Sequence, residues 1–225
     1  MLSFLQKAIV PLLIFAAVAL SRTSMVLFPL ANTTGNTIND WVGYAIPELF
    51  FRSLTRHSNM QVWDPCFLFN ADSSGWTMRS DSLLKKHRER WGWNIATGGL
   101  FRVDKDTVVI EFRFVVAEPN EWARKKITVR GNIKTLLFLC GRLYAKFTRE
   151  TGISGEKDVP DLRNNSMIPA NYFAWATYAA GYGYEMKRQY ASALSAYSRA
   201  LDLEPSFFFA AYRAAHIYLL SGHRE

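Results

Sequence analysis

Cysteine is nearly absent from this chain: two in 225 residues, Cys66 and Cys140. A disulfide-built scaffold and a cysteine-rich zinc fold are therefore excluded. One bridge remains open, Cys66 to Cys140, which an oxidising compartment would permit; the alternative is two buried thiols acting as small apolar residues. Histidine is scarce too. His57, His87, His216 and His223 share no metal-ligand spacing with each other or with the cysteines, so no metal site is expected. Glycine motifs are incomplete. Gly152-Ile153-Ser154-Gly155 falls one residue short of a nucleophile elbow, and Gly181-Tyr182-Gly183 lacks the third glycine of a dinucleotide fingerprint. No catalytic residue and no cofactor is expected.

Acidic residues are in the minority, 19 against 27 lysines and arginines, giving a formal charge of +8. Part of the excess sits in Lys85-Lys86-His87-Arg88-Glu89-Arg90 and in Arg124-Lys125-Lys126. A solvated helix face and a strand end account for these clusters; contact with an acidic membrane surface or partner is the alternative. Neither cluster belongs to a nucleic-acid module, so no nucleic acid is expected as partner. Apolar residues make up 49% and aromatics 15%, enough for a real core and too much for disorder.

Long apolar runs are limited to one. Ala8 to Leu20 is free of charge and of side-chain hydrogen bonders, with Lys7 before it and Ser21-Arg22 after it. Thirteen residues suit a signal peptide, whereas including Leu2 to Gln6 and Ser21 gives about the twenty needed for a span, with Lys7 reaching for the headgroups. Residues 1–23 are thus expected to be a signal anchor or signal peptide. Either option places the remainder outside the cytoplasm.

The middle of the chain predicts an α/β unit over 24–150. Met25 to Leu30 is a short apolar strand that ends in an Asn- and Gly-rich turn. Asn39 or Asp40 can cap a helix with Val42, Ile46, Leu49, Phe50, Ser53 and Leu54 on one face, and Pro47 implies a kink or a late start. Met60 to Trp63 reads as a strand and Ser80 to Arg90 as a basic amphipathic helix. Val108, Ile110, Phe112, Phe114 and Val116 alternate with mixed neighbours, the period of a half-buried strand. Asp104-Lys105-Asp106 is its hairpin turn from a strand around Ile95 to Val103, and Trp122 to Arg130 forms a third antiparallel neighbour. Asn132 to Glu150 closes the unit as a helix. The expected fold class is α+β: a small α/β sandwich of order β-α-β-α-β-β-β-α, a linker over 151–171, and a helical segment over 172–225, with an N-terminal hydrophobic helix.

That helical segment carries the spacing of a 34-residue repeat. With Pro205 at the closing position, Gly181 and Tyr184 fall on the small and aromatic positions of one helix. Ala193, Tyr197 and Ala200 fall on those of the next, and Phe208 to Leu220 reads as a third helix. The pattern resembles a tetratricopeptide repeat, one and a half units long. MVLFPLANTTGNTINDWVGYAIPELFFRSLTRHSNMQVWDP is similar to the start of the TolB-like amino-terminal domain, with Gly99 at that family's hairpin glycine. The combination resembles the periplasmic half of ToxR/CadC-type membrane activators, without their DNA-binding domain.

Together these resemblances imply a membrane-anchored bacterial protein of the periplasm that binds another envelope protein and has no chemistry of its own. The partner would be a membrane-spanning regulator, another envelope protein or a second copy of the chain. The alternative is a sensory subunit of a ToxR/CadC-type system, responding to a small ligand or to redox state through Cys66 and Cys140. In the repeat register, Trp175, Tyr178, Tyr182, Glu185, Tyr212 and His216 point to a concave partner-binding face. The competing expectation is that these rings pack on the α/β unit as core.

Overall fold

The computed structural model describes residues 23–55, 60–64, 81–117, 121–153, 169 and 171–220. The N-terminal apolar run, most of the 151–171 linker, Cys66, His57 and His223 lie outside them. Among the described residues no helix is long and apolar enough to cross a membrane.

Strand formation follows the alternation. In β4 (Thr107–Ala117), Val108, Ile110, Phe112 and Phe114 are all buried on one face. The hairpin from β3 (Ile95–Asp104) closes where Asp104 pairs with Thr107, with Lys105 in a left-handed conformation at the tip. β5 (Trp122–Asn132) completes the antiparallel meander. β1 (Thr23–Asn32) runs parallel to both β3 and β2 (Met60–Trp63), so the mixed five-stranded sheet has the order β2-β1-β3-β4-β5.

Six helices complete the α+β fold among the described residues. α1 (Trp41–Leu54) and α3 (Leu136–Thr151) cover one face of the sheet, where Phe50, Phe112, Phe114 and Phe147 meet ring to ring. α2 (Asp81–Trp91) covers part of the other face, through Leu84 and a smaller cluster with Val26, Phe28, Trp93, Ala96 and Val115. Val115 lies on the face that alternation alone gives to mixed residues, and α2 is the reason it is buried. No late start accompanies Pro47: α1 begins at Trp41 and continues through it.

α4 (Tyr172–Met186), α5 (Tyr190–Leu203) and α6 (Phe208–Leu220) follow as a packed series. Asn171 caps α4 by accepting from the Phe173 and Ala174 amides. A Cβ at Gly181 would lie 2.8 Å from the Tyr197 ring, so its missing side chain sets the α4–α5 approach. One apolar cluster runs from Met25 through Phe147 to Tyr197 and Ile217. α1 is consequently a middle layer, with the sheet on one side and α4 on the other, and nearly every residue in it is buried. The expected element order over the α/β unit is the observed one. The helical segment, however, shares that unit's core.

Cys140 is a free, fully buried thiol. Burial pushes it up to about 12, which keeps it protonated and inert. The other half of the candidate Cys66–Cys140 pair, Cys66, lies outside the described residues.

Candidate functional site

Between α1 and the helical segment lies a buried ionic network, built from a few isolated charges on otherwise apolar helices together with Asp64. Glu48 and Arg52 stand at i and i+4 in α1, where Arg52 Nε donates to Glu48 Oε1 at 2.9 Å. Tyr178 of α4 donates its hydroxyl to the same oxygen at 2.7 Å. Arg213 of α6 reaches three carboxylates: Glu185 at 3.2 Å, Asp64 at 3.0 Å and Glu48 Oε2 at 3.8 Å. Tyr197 donates to Glu185 Oε2 at 2.6 Å, and Tyr182 to Asp64 at 3.1 Å. Arg52 also lies over the Phe209 ring at 3.2 Å, and Arg213 over Tyr182 at 4.7 Å.

Burial alone would raise the Glu48 carboxyl, but Arg52 and Arg213 outweigh it and hold the group below its ordinary value. Burial pushes the Tyr178 and Tyr197 phenols up, so both stay protonated donors. The network pairs three carboxylates with two guanidinium groups and satisfies most of their bonds internally. Such an arrangement fixes the helical segment on α1; it leaves those carboxylates little freedom to act on anything else.

This placement corrects the expected partner-binding groove. Trp175, Tyr178, Tyr182 and Glu185 are all buried against α1 and its neighbours. Their rings and the Glu185 carboxylate are core, because α1 closes the flank that a repeat array would leave open. Tyr212 and His216 alone among the six reach solvent.

They belong to a stripe that sequence reasoning did not isolate. Along α6, Phe208, Tyr212 and His216 stack at i, i+4 and i+8, each centroid pair 6.4 Å apart. Phe208 is 66% exposed, Tyr212 55% and Leu219, on the same side, 70%. The inner side of α6 buries Ala210, Arg213 and Ile217. FFAAYRAAHIYLL is thus apolar nearly all round, and its one cation points inward. The signal was present in that composition, since a surface helix ordinarily carries charge on its outer face.

No protein-family model matches the chain, and no curated protein matches it. Solved bacterial structures are among those it is similar to. The LpoB C-terminal domain from Salmonella enterica aligns at 9% identity over 48% of this chain and 83% of its own, TM-score 0.36. Lipoprotein GNA1162 from Neisseria meningitidis aligns at 15% identity over 59% and 98%, TM-score 0.37. The hypothetical protein CT253 from Chlamydia trachomatis aligns at 9% over 57% and 95%, TM-score 0.37. At such scores the likeness says nothing of what the chain binds. These findings overturn the resemblance to the TolB-like, tetratricopeptide and ToxR/CadC families. No model of those families matches, none of the structures named above belongs to them, and α4 to α6 are part of a common core in place of a free-standing repeat.

Proposed function

We propose that the chain is a non-enzymatic interaction protein of the bacterial cell envelope, lying outside the cytoplasm and holding another envelope protein on the outer face of α6. The observation that carries this reading is the exposed Phe208–Tyr212–His216 stripe with Leu219. Contiguous large apolar side chains exposed on the outer face of a helix favour a second surface covering them. Its chemistry asks for an apolar helix face, because the stripe offers large aromatic area and no formal charge apart from His216. The extracytoplasmic placement is supported by the apolar run Ala8 to Leu20 and its cationic flank at Lys7.

A photo-reactive phenylalanine analogue at position 212 tests it. Illuminated in envelope membranes, the chain should give one discrete adduct, while the analogue at exposed Arg199 of α5 should give none. Phe208→Glu should abolish the adduct without lowering the melting temperature. An adduct of twice the chain's mass would make the occupant a second copy. No adduct from 212, or equal yields from both positions, would count against the proposal.

A further inference from the structure

At the end of the sheet where β1 begins, four tryptophans gather. The last rung there is Ser24, Asn94, Ala117 and Trp122: the Asn94 amide donates to Ser24 and the Ala117 amide to Asn94, while Ala117 pairs with Trp122. Ser24 Oγ donates to the Gly92 carbonyl at 2.6 Å, which ties the C-terminus of α2 to this rung. Trp93 and Trp122 meet edge to face at 5.5 Å, and Trp63 and Trp91 do so at 5.4 Å. Trp63, Trp91 and Trp122 are half-buried, and the indole nitrogens of Trp63 and Trp91 lie on the buried side of their rings.

Cations surround them. Arg88 and Arg90 occupy the last turn of α2, with Arg90 5.1 Å from the Trp91 ring, and Arg124 and Lys125 open β5. Glu89 and Glu121 are acids close to them in sequence, and Glu150 pairs with Lys125 at 3.0 Å. Half-buried tryptophans flanked by arginine and lysine are the residues that settle at a membrane–water boundary.

The chain's own layout says which surface this end meets. The 13-residue apolar run finishes at Leu20, three residues before Thr23 opens β1. Three residues reach at most about 11 Å, comparable with the Debye length of roughly 8 Å at physiological salt. With that run in a bilayer, the tryptophan-bearing end lies within electrostatic range of the headgroups. We infer that this end of the sheet, formed by Trp63, Trp91, Trp122, Arg88, Arg90 and Arg124, docks on an anionic phospholipid surface. An acidic protein is the less favoured occupant, since it would have no reason to choose this end. Arg102 and Arg130, which flank Val109 across the sheet, offer the same charge at the opposite end.

The test uses the full chain reconstituted in vesicles of phosphatidylcholine, with or without about a third phosphatidylglycerol, and a headgroup-attached nitroxide that quenches tryptophan fluorescence. Quenching should be stronger in the anionic vesicles. Arg88→Gln with Arg90→Gln should bring it most of the way down to the zwitterionic level, a loss of roughly 25-fold in docking at about fivefold per charge. Arg102→Gln with Arg130→Gln should leave it unchanged. Equal quenching in both vesicle types, or persistence in the Arg88/Arg90 variant, overturns the inference. An equal loss in the Arg102/Arg130 variant overturns it too, since the whole basic face would then be the binding surface.

Discussion

Replacing Arg213 by methionine should lower stability by about 3–5 kcal/mol, the cost of removing one member of a buried ion network. Among the described residues Arg213 is the only cation shown touching Glu48, Asp64 and Glu185 together, and its side chain is 7% exposed. Methionine fills a similar volume but leaves Glu185 without its guanidinium and Glu48 with Arg52 alone. Lysine should recover only part of the loss, because a single ammonium cannot fork between separate carboxylates.

The pH dependence follows from Glu48. Its folded-state value is held below the ordinary 4.5, so its contribution is fully present above about pH 4.5 and is lost as pH falls through the folded value. Without Arg213 that acid-induced loss should begin at higher pH, and Glu48→Gln should remove this component. Urea unfolding measured from pH 3 to pH 7 reads both effects. An Arg213→Met chain as stable as the parent at pH 7 would mean that the network does not hold the helical segment in place.

Gly43→Ala should also destabilise, by about 2–3 kcal/mol. Helix propensity alone predicts the reverse, a gain of about 1 kcal/mol for alanine over glycine in a helix interior. The packing decides the sign. A Cβ at Gly43 would press into the backbone carbonyl oxygen of Leu30 and sit 3.1 Å from the Phe101 ring. β1 is held at this point by its register with β3, Leu30 opposite Gly99. Overpacking against fixed backbone costs more than propensity returns. A urea midpoint raised in the alanine variant would show that α1 is not seated directly on β1.

Much of this architecture is legible in local pattern. Alternation marks β4, Met60 to Trp63 is the observed edge strand, and Phe208 to Leu220 has the bounds read from the sequence. These elements are set by period and by the residues that end them. What covers each face is a tertiary matter, and there the pattern misled. Gly181, Ala193 and Ala200 fit close helix packing in any α-hairpin, so the repeat spacing marked a real contact while naming the wrong family. The buried network left a signal that went unused. Glu48 and Arg52 interrupt an apolar helix four residues apart, and Glu185 and Arg213 are isolated charges on apolar helices. Charges in such settings are usually paired with one another. That pairing would have placed α1 against α4 and α6 and moved the candidate surface from Trp175 and Tyr178 to the far side of α6.

The claim that matters most is that α6 is the occupied surface. Amide hydrogen exchange, compared between the free chain and the chain carrying its cross-linked partner, tests it directly. Exchange should slow across Phe208–Leu220, with the amides of α4 unchanged because that helix is already enclosed. Slowing confined to Trp122–Asn132 or Tyr172–Met186, with α6 unaltered, would contradict the account.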